Sequence, residues 1–163
     1  MLGALKFAAG GSHLHIKKRL VEAVIMSRIM YGIQFWGSGS SKTVVRRIQS
    51  VQNLAMCWIT NSHRLTSTRK MLSQLNWLSV NQLVIYHRFL MIYKIRKKGL
   101  PKLNWKQLEN GLNTRDRIDL TKRRWPIRIQ ELYNTVDVSV WNETKISAFK
   151  RWIKIWIKKQ RHF

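Results

Sequence analysis

The sequence predicts a mostly α-helical protein: a helical bundle, an irregular linker and a C-terminal amphipathic helix. Three observations predict it. Apolar residues return every three or four positions in several separate stretches, as one buried helix face requires. Serines precede those stretches, and glycines or a proline follow them, which is the punctuation of helix ends. Of the 163 residues, 45% are hydrophobic and eight are tryptophan, so a chain of this length holds a core without disulfides or metals.

Gly10-Gly11-Ser12 reads as a break with an N-cap at Ser12. Ile16, Leu20, Ala23, Val24, Ser27 and Tyr31 then mark the inward face of a first helix, ended by Gly32 and the Gly37–Ser41 run. Ser41 caps a second helix. Its stripe is Val44, Ile48, Val51, Ala55 and Trp58, widened by Val45, Gln52 and Ile59. Arg46, Arg47, Gln49, Ser50 and Asn53 occupy its other face. "NSHRLTS" reads as a loop, and Thr66 to Leu75 as a short helix.

Ser79 is the expected N-cap of a third long helix. Residues 80–95 are apolar nearly all round, which predicts a helix packed on several sides. Arg96, Lys97 and Lys98 fill its last turn, where cations suit the helix dipole. Gly99 fits the left-handed position after the helix, and Pro101 blocks continuation. The bundle is thus expected over 1–103 and an irregular or peripheral segment over 104–140. The tail, 141–163, carries Phe149, Trp152, Ile153, Trp156 and Ile157 on one helical face. Lys150, Arg151, Lys154 and Lys158 lie on the other.

Charge is the strongest signal. The chain has 31 Lys and Arg against 7 Asp and Glu, a net charge of +24. Residues 1–108 hold 18 basic residues and one acid, Glu22; residues 109–163 hold 13 and six. Such an excess repels itself in a compact fold and exceeds what solubility needs. A polyanionic partner accounts for it, nucleic acid first and an anionic membrane surface second. Lys17, Lys18 and Arg19 lie in the first turns of a helix, where cations do not favour the dipole. With Arg46 and Arg47, and with Arg96, Lys97 and Lys98, they are the candidate phosphate contacts. The aromatics at helical spacing are expected in the core.

Groups able to make or break bonds are scarce. Asp116 and Asp119 sit beside Arg115 and Arg117, which keep them ionised; they read as salt-bridging or capping acids, not as a metal pair. His13 and His15 read as loop histidines and His87 as a hydrogen-bonded core residue. Cys57, the lone cysteine, reads as a buried inert thiol. It leaves no intramolecular disulfide, and a reducing, intracellular location is expected; the nucleus is the expected compartment for a nucleic-acid-binding chain. No phosphate-cradling glycine loop is present. No cofactor, metal or small-molecule substrate is expected for this chain. No run of eighteen apolar residues predicts a membrane span.

"YGIQFWG" followed by "VVRRIQSVQNLAMCWIT" resembles the region beyond the polymerase active site in non-LTR retrotransposon reverse transcriptases. In that family a helix ends in Tyr-Gly…Trp-Gly. The next helix has a basic residue, Ile, Gln, x, Val, Gln, Asn, x, Ala, and an Ile-Thr end. Here these are Arg47 to Ala55, then Ile59 and Thr60. Leu75, Trp77, Leu78 and Val80 match a following Leu-x-Trp-Leu-x-Val. Tyr86, Phe89, Tyr93 and Lys94 continue it, and Trp141-Asn142 with Phe149-Lys150 resemble the family's tail. The leucine-proline common after Trp-Asn is Glu143-Thr144 here.

The resemblance covers about Leu14 to Trp156. It implies a thumb and the segment beyond it, which grip a primer–template duplex by its backbone without reading sequence. The family's catalytic aspartates lie upstream, in a palm with an aromatic-x-Asp-Asp motif, and the parent polymerase uses Mg. This chain has no Asp-Asp. The expectation is a piece of an RNA-directed DNA polymerase that binds RNA, DNA or their hybrid but does not polymerise alone. The rival expectation is a membrane-surface or partner-binding protein acting through the basic helix at 146–161. The plainer outcome for that helix is docking on the core with its lysines in water. A transposon remnant without a role is the third reading.

Overall fold

A computed structural model of the chain describes residues 13–33, 36, 37, 40–98 and 132–160, with Gly3 and Gly11. The protein is mostly α-helical, and no described residue lies in a strand. The helices are α1 (Leu14–Val21), a π-helical segment (Glu22–Met26), α2 (Ser27–Met30), α3 (Lys42–Thr60), α4 (Thr68–Leu75), α5 (Val80–Lys98), α6 (Val138–Trp141) and α7 (Ile146–Lys159). Ser12, Gly99, Pro101, Asp116 and Asp119 lie outside the described residues, as does the linker over 101–131.

Two compact units divide the chain, Met1–Val84 and Ile85–Phe163. The division falls within α5. A helix that is apolar on several sides can serve two cores. Val80, Leu83 and Val84 are buried at its start, and Phe89, Leu90, Ile92, Tyr93 and Ile95 further along.

In the first unit, α1 begins at Leu14 with His13 as its N-cap, and the His13 side chain makes no capping bond. His15 is therefore helical, not in a loop. The inward face differs from the expected one. Lys17, Val21, Ile25 and Met26 are buried, whereas Ile16, Ala23, Ser27 and Tyr31 are exposed. A lysine heads the true stripe and disguises it. The π-helical segment, whose Glu22 carbonyl accepts from the Ser27 N–H, then shifts the register by a residue.

Both glycines of "YGIQFWG" answer a geometric demand. Gly32 has φ 60°, a left-handed conformation that a Cβ disfavours. A Cβ on Gly37 would stand 2.6 Å from Cγ2 of Val84, so only a glycine fits between this turn and α5. The Trp36 indole N–H donates to the Tyr31 carbonyl at 3.0 Å and closes the turn.

Ser41 caps α3 through its side chain, as expected. The buried face of α3 is Gln52, Ala55, Met56 and Ile59; Val44 and Val51 are exposed. A glutamine stands at the centre of this stripe because its polar atoms are all used. Gln52 Nε2 donates to the Leu78 carbonyl at 2.8 Å, and Gln52 Oε1 accepts from Gln49 Nε2 at 2.8 Å. Gln49 Nε2 also donates to Asn53 Oδ1, and Gln49 Oε1 accepts the Val80 N–H at 2.9 Å. These side chains clamp the start of α5 to α3. Ser79 and Gln82 complete it with a reciprocal capping box, at 3.3 Å and 3.1 Å; each such cap contributes about 1 kcal/mol.

The second unit is built on aromatic packing. Trp141 is fully buried and stacks on Tyr133 at 5.0 Å, with Phe149 at 5.6 Å and Phe89 at 5.8 Å. Tyr93 stacks on Phe149 at 4.3 Å and donates its hydroxyl to the Glu143 carbonyl at 2.8 Å. Residues 132–134 form a helical turn, and Tyr133 and Val136 are buried. Tyr133 and Val136 thus belong to the core of this unit, with Tyr133 supplying the ring that stacks on Trp141. Phe149, Ile153 and Ile157 of α7 are buried and Trp152 is exposed. The tail helix is docked, with Lys150 and Arg151 exposed.

Candidate nucleic-acid interface

The eight predicted phosphate contacts separate into three kinds. Lys17 and Lys18 are built into the first unit. The Lys17 side chain is buried, 4% exposed; Nζ donates to Asn61 Oδ1 at 3.1 Å and lies 5.7 Å from the Trp58 ring centre. Asn61 is the left-handed residue that ends α3. Lys18 Nζ donates to the Leu75 carbonyl, the last of α4, at 2.9 Å and stands 4.0 Å from Glu22. Each lysine therefore places a cation at the C-terminus of another helix, the favourable pole of its dipole. Charge that does nothing for α1 stabilises α3 and α4. Both side chains already have partners within the unit, Lys17 buried and Lys18 part-buried.

Arg96 is committed in the same way in the second unit. Its guanidinium donates to the Tyr133 hydroxyl and, at 3.2 Å, to Asn142 Oδ1. Lys97 is exposed, with Nζ 5.8 Å from the Tyr93 ring centre. The Lys98 side chain lies outside the described residues.

Arg19, Arg46 and Arg47 remain as exposed cations. Arg46 and Arg47 occupy the early turns of α3, with exposed Lys42 before them and no acid in the first turn. Helix N-termini carry partial positive charge and free N–H groups, so this end of α3 adds backbone electropositivity to three side chains. Trp58, which holds Lys17, is twelve residues beyond Arg46, about 18 Å along the helix. The cluster at α1 and the pair on α3 are thus separate places, not one patch.

Sequence reading passed over other exposed cations. Arg64, Arg69 and Lys70 are exposed, and Arg69 and Lys70 line an open depression of about 510 Å³ with Ser67, Ser73 and Gln74. The signal was available: Met71 and Leu75, four apart, are the buried residues of α4, and Arg69 and Lys70 just before them stand off that face.

Among the described residues no group of three or more His, Cys, Asp or Glu could hold a metal ion. No described helix is long and apolar enough to cross a membrane. Cys57 is half-buried rather than buried, its Sγ 3.7 Å from Met71 Sδ. His87 is half-buried on α5. Burial lowers its pKa from the usual 6.5, and Lys94 and Lys150 lower it further.

No family model, no curated protein and no solved structure matches the chain.

Proposed function

We propose that the protein binds nucleic-acid backbone as the thumb-like part of a non-LTR retrotransposon reverse transcriptase, without polymerase activity of its own. One observation carries the reading: Arg46 and Arg47 stand exposed at the electropositive end of α3, with no acid in its first turn. Guanidinium groups suit phosphate oxygens, and contacts of this kind position a duplex without reading its bases. The residues that resemble the family also have a mechanical logic. Gln49, Gln52 and Asn53 lock α3 to the chain at Leu78 and Val80, so the helix bearing the arginines is held rigid. Bond-making would fall to the Mg-dependent palm of the parent enzyme.

The test is the affinity for an RNA–DNA hybrid measured against salt. Log affinity falls with log salt by about 0.7 to 0.9 per phosphate contacted. Changing Arg46 and Arg47 together to Ala flattens that slope by about 1.4 to 1.8 and weakens binding to all sequences alike. A salt-insensitive affinity, or a double variant with an unchanged slope, rejects the proposal.

A further inference from the structure

The outward strip of α7 holds an aromatic ring that the core does not take in. Phe149, Ile153 and Ile157 are buried, but Trp152 is 36% and Ile155 52% exposed. Trp152, Ile155 and Lys159 follow at i, i+3 and i+7, which is one helix face, and exposed Arg151 flanks it. The Trp152 ring is not loose. It stacks on Trp156 at 6.3 Å with planes 18° apart, and Trp156 meets Phe89 edge-on at 5.6 Å. One face of Trp152 is thus backed by a rigid aromatic series.

We infer that this strip is a single-strand site, in which an unpaired base stacks on Trp152 while the flanking phosphates pair with Arg151 and Lys159. A fixed ring between two cations meets both needs of single-strand binding, stacking and backbone charge. A lipid surface is the poorer fit, because a helix lying on a bilayer uses a broad apolar face and the broad face of α7 is buried. A second copy of the chain would oppose Arg151 and Lys159 to like charges. The inference extends the proposed backbone binding to base stacking and rests on it, but it uses residues of the other compact unit.

The experiment measures the whole chain binding three labelled probes at one salt concentration: oligothymidylate, an abasic strand of equal length, and an RNA–DNA hybrid. Unaltered protein should bind the abasic strand about 5- to 100-fold more weakly than oligothymidylate. Trp152→Ala should remove that preference and leave hybrid affinity within about twofold, whereas Trp152→Phe, which keeps a ring, should retain most of it. The abasic comparison needs no variant, so equal affinity overturns the inference even if Trp152→Ala fails to fold; a folded Trp152→Ala that keeps the preference also overturns it, because exposed Tyr31 could supply the ring. Equal affinity for the two strands overturns the inference while hybrid binding leaves the proposed function standing. Binding of neither strand nor hybrid overturns both. Anionic vesicle binding that Trp152→Ala abolishes, with oligothymidylate affinity unchanged, overturns it in favour of a lipid surface.

Discussion

The carboxylate of Glu22 accepts the indole N–H of Trp77 at 2.8 Å, joining the π-helical segment to the turn before α5. Glu22 is the one acid among the first 108 residues, and Lys18 stands 4.0 Å from it. In a unit so rich in cations a single carboxylate meets no competing acid for these donors. It tethers the indole while Lys18 holds the end of α4.

Removing either partner should therefore weaken the first unit. Glu22→Ala and Trp77→Phe each remove the bond, and a double-mutant cycle should return a coupling of about 1 kcal/mol, the scale of a part-exposed bond to a charged acceptor. Urea denaturation of the four proteins measures it. Strictly additive losses would mean that the contact contributes nothing.

Gln52 has no exposed surface, and both ends of its amide are bonded. Gln52→Ala leaves a cavity and a Leu78 carbonyl without its donor. The expected loss is about 2 to 4 kcal/mol. Gln52→Leu fills the space and still strands the carbonyl, so it should recover only part. Equal stability of the Leu variant and the original would show that the amide bonds are not needed.

At Gly37 the demand is for space. Gly37→Ala would bring a methyl within 2.6 Å of Val84 Cγ2 and 2.9 Å of Cγ1, an overpacking cost of about 1 to 3 kcal/mol. Val84→Ala should then compensate: the double variant loses less than the sum of the single losses. A double variant at the full sum would place the strain elsewhere.

These sites also explain what could be read beforehand. Helices were legible wherever their ends carry serine and their residues recur at helical spacing; Ser41 and Ser79 cap α3 and α5 as their positions imply. Helix faces were less legible. In α1 the inward stripe is headed by Lys17, and a rule that sets polar residues outward rotates that helix to the wrong face; in α3 Gln52, Ala55 and Ile59 lie inward as their spacing implies, but Val44 and Val51 are exposed. The same rule sent Lys17, Lys18 and Arg96 to solvent, because a sequence does not show that an Asn61 side chain, a Leu75 carbonyl or a Tyr133 hydroxyl waits for them. Arg46 and Arg47 escaped the error, since their buried neighbours on α3 leave them outside.

His87 makes stability depend on pH in a stated direction. Burial first, then Lys94 and Lys150, lower its folded pKa below 6.5. Just below that value the unfolded chain binds a proton that the folded chain refuses. The stability that comes from holding His87 neutral is complete above the unfolded pKa. It declines as pH falls through 6.5 and levels off once the folded pKa is passed. Urea midpoints of the protein and of His87→Gln, compared from about pH 8 down to about pH 5, isolate this contribution from other titrations. The original should lose stability relative to the variant across that interval. Two parallel profiles would mean that the imidazole titrates alike in the folded and unfolded chains.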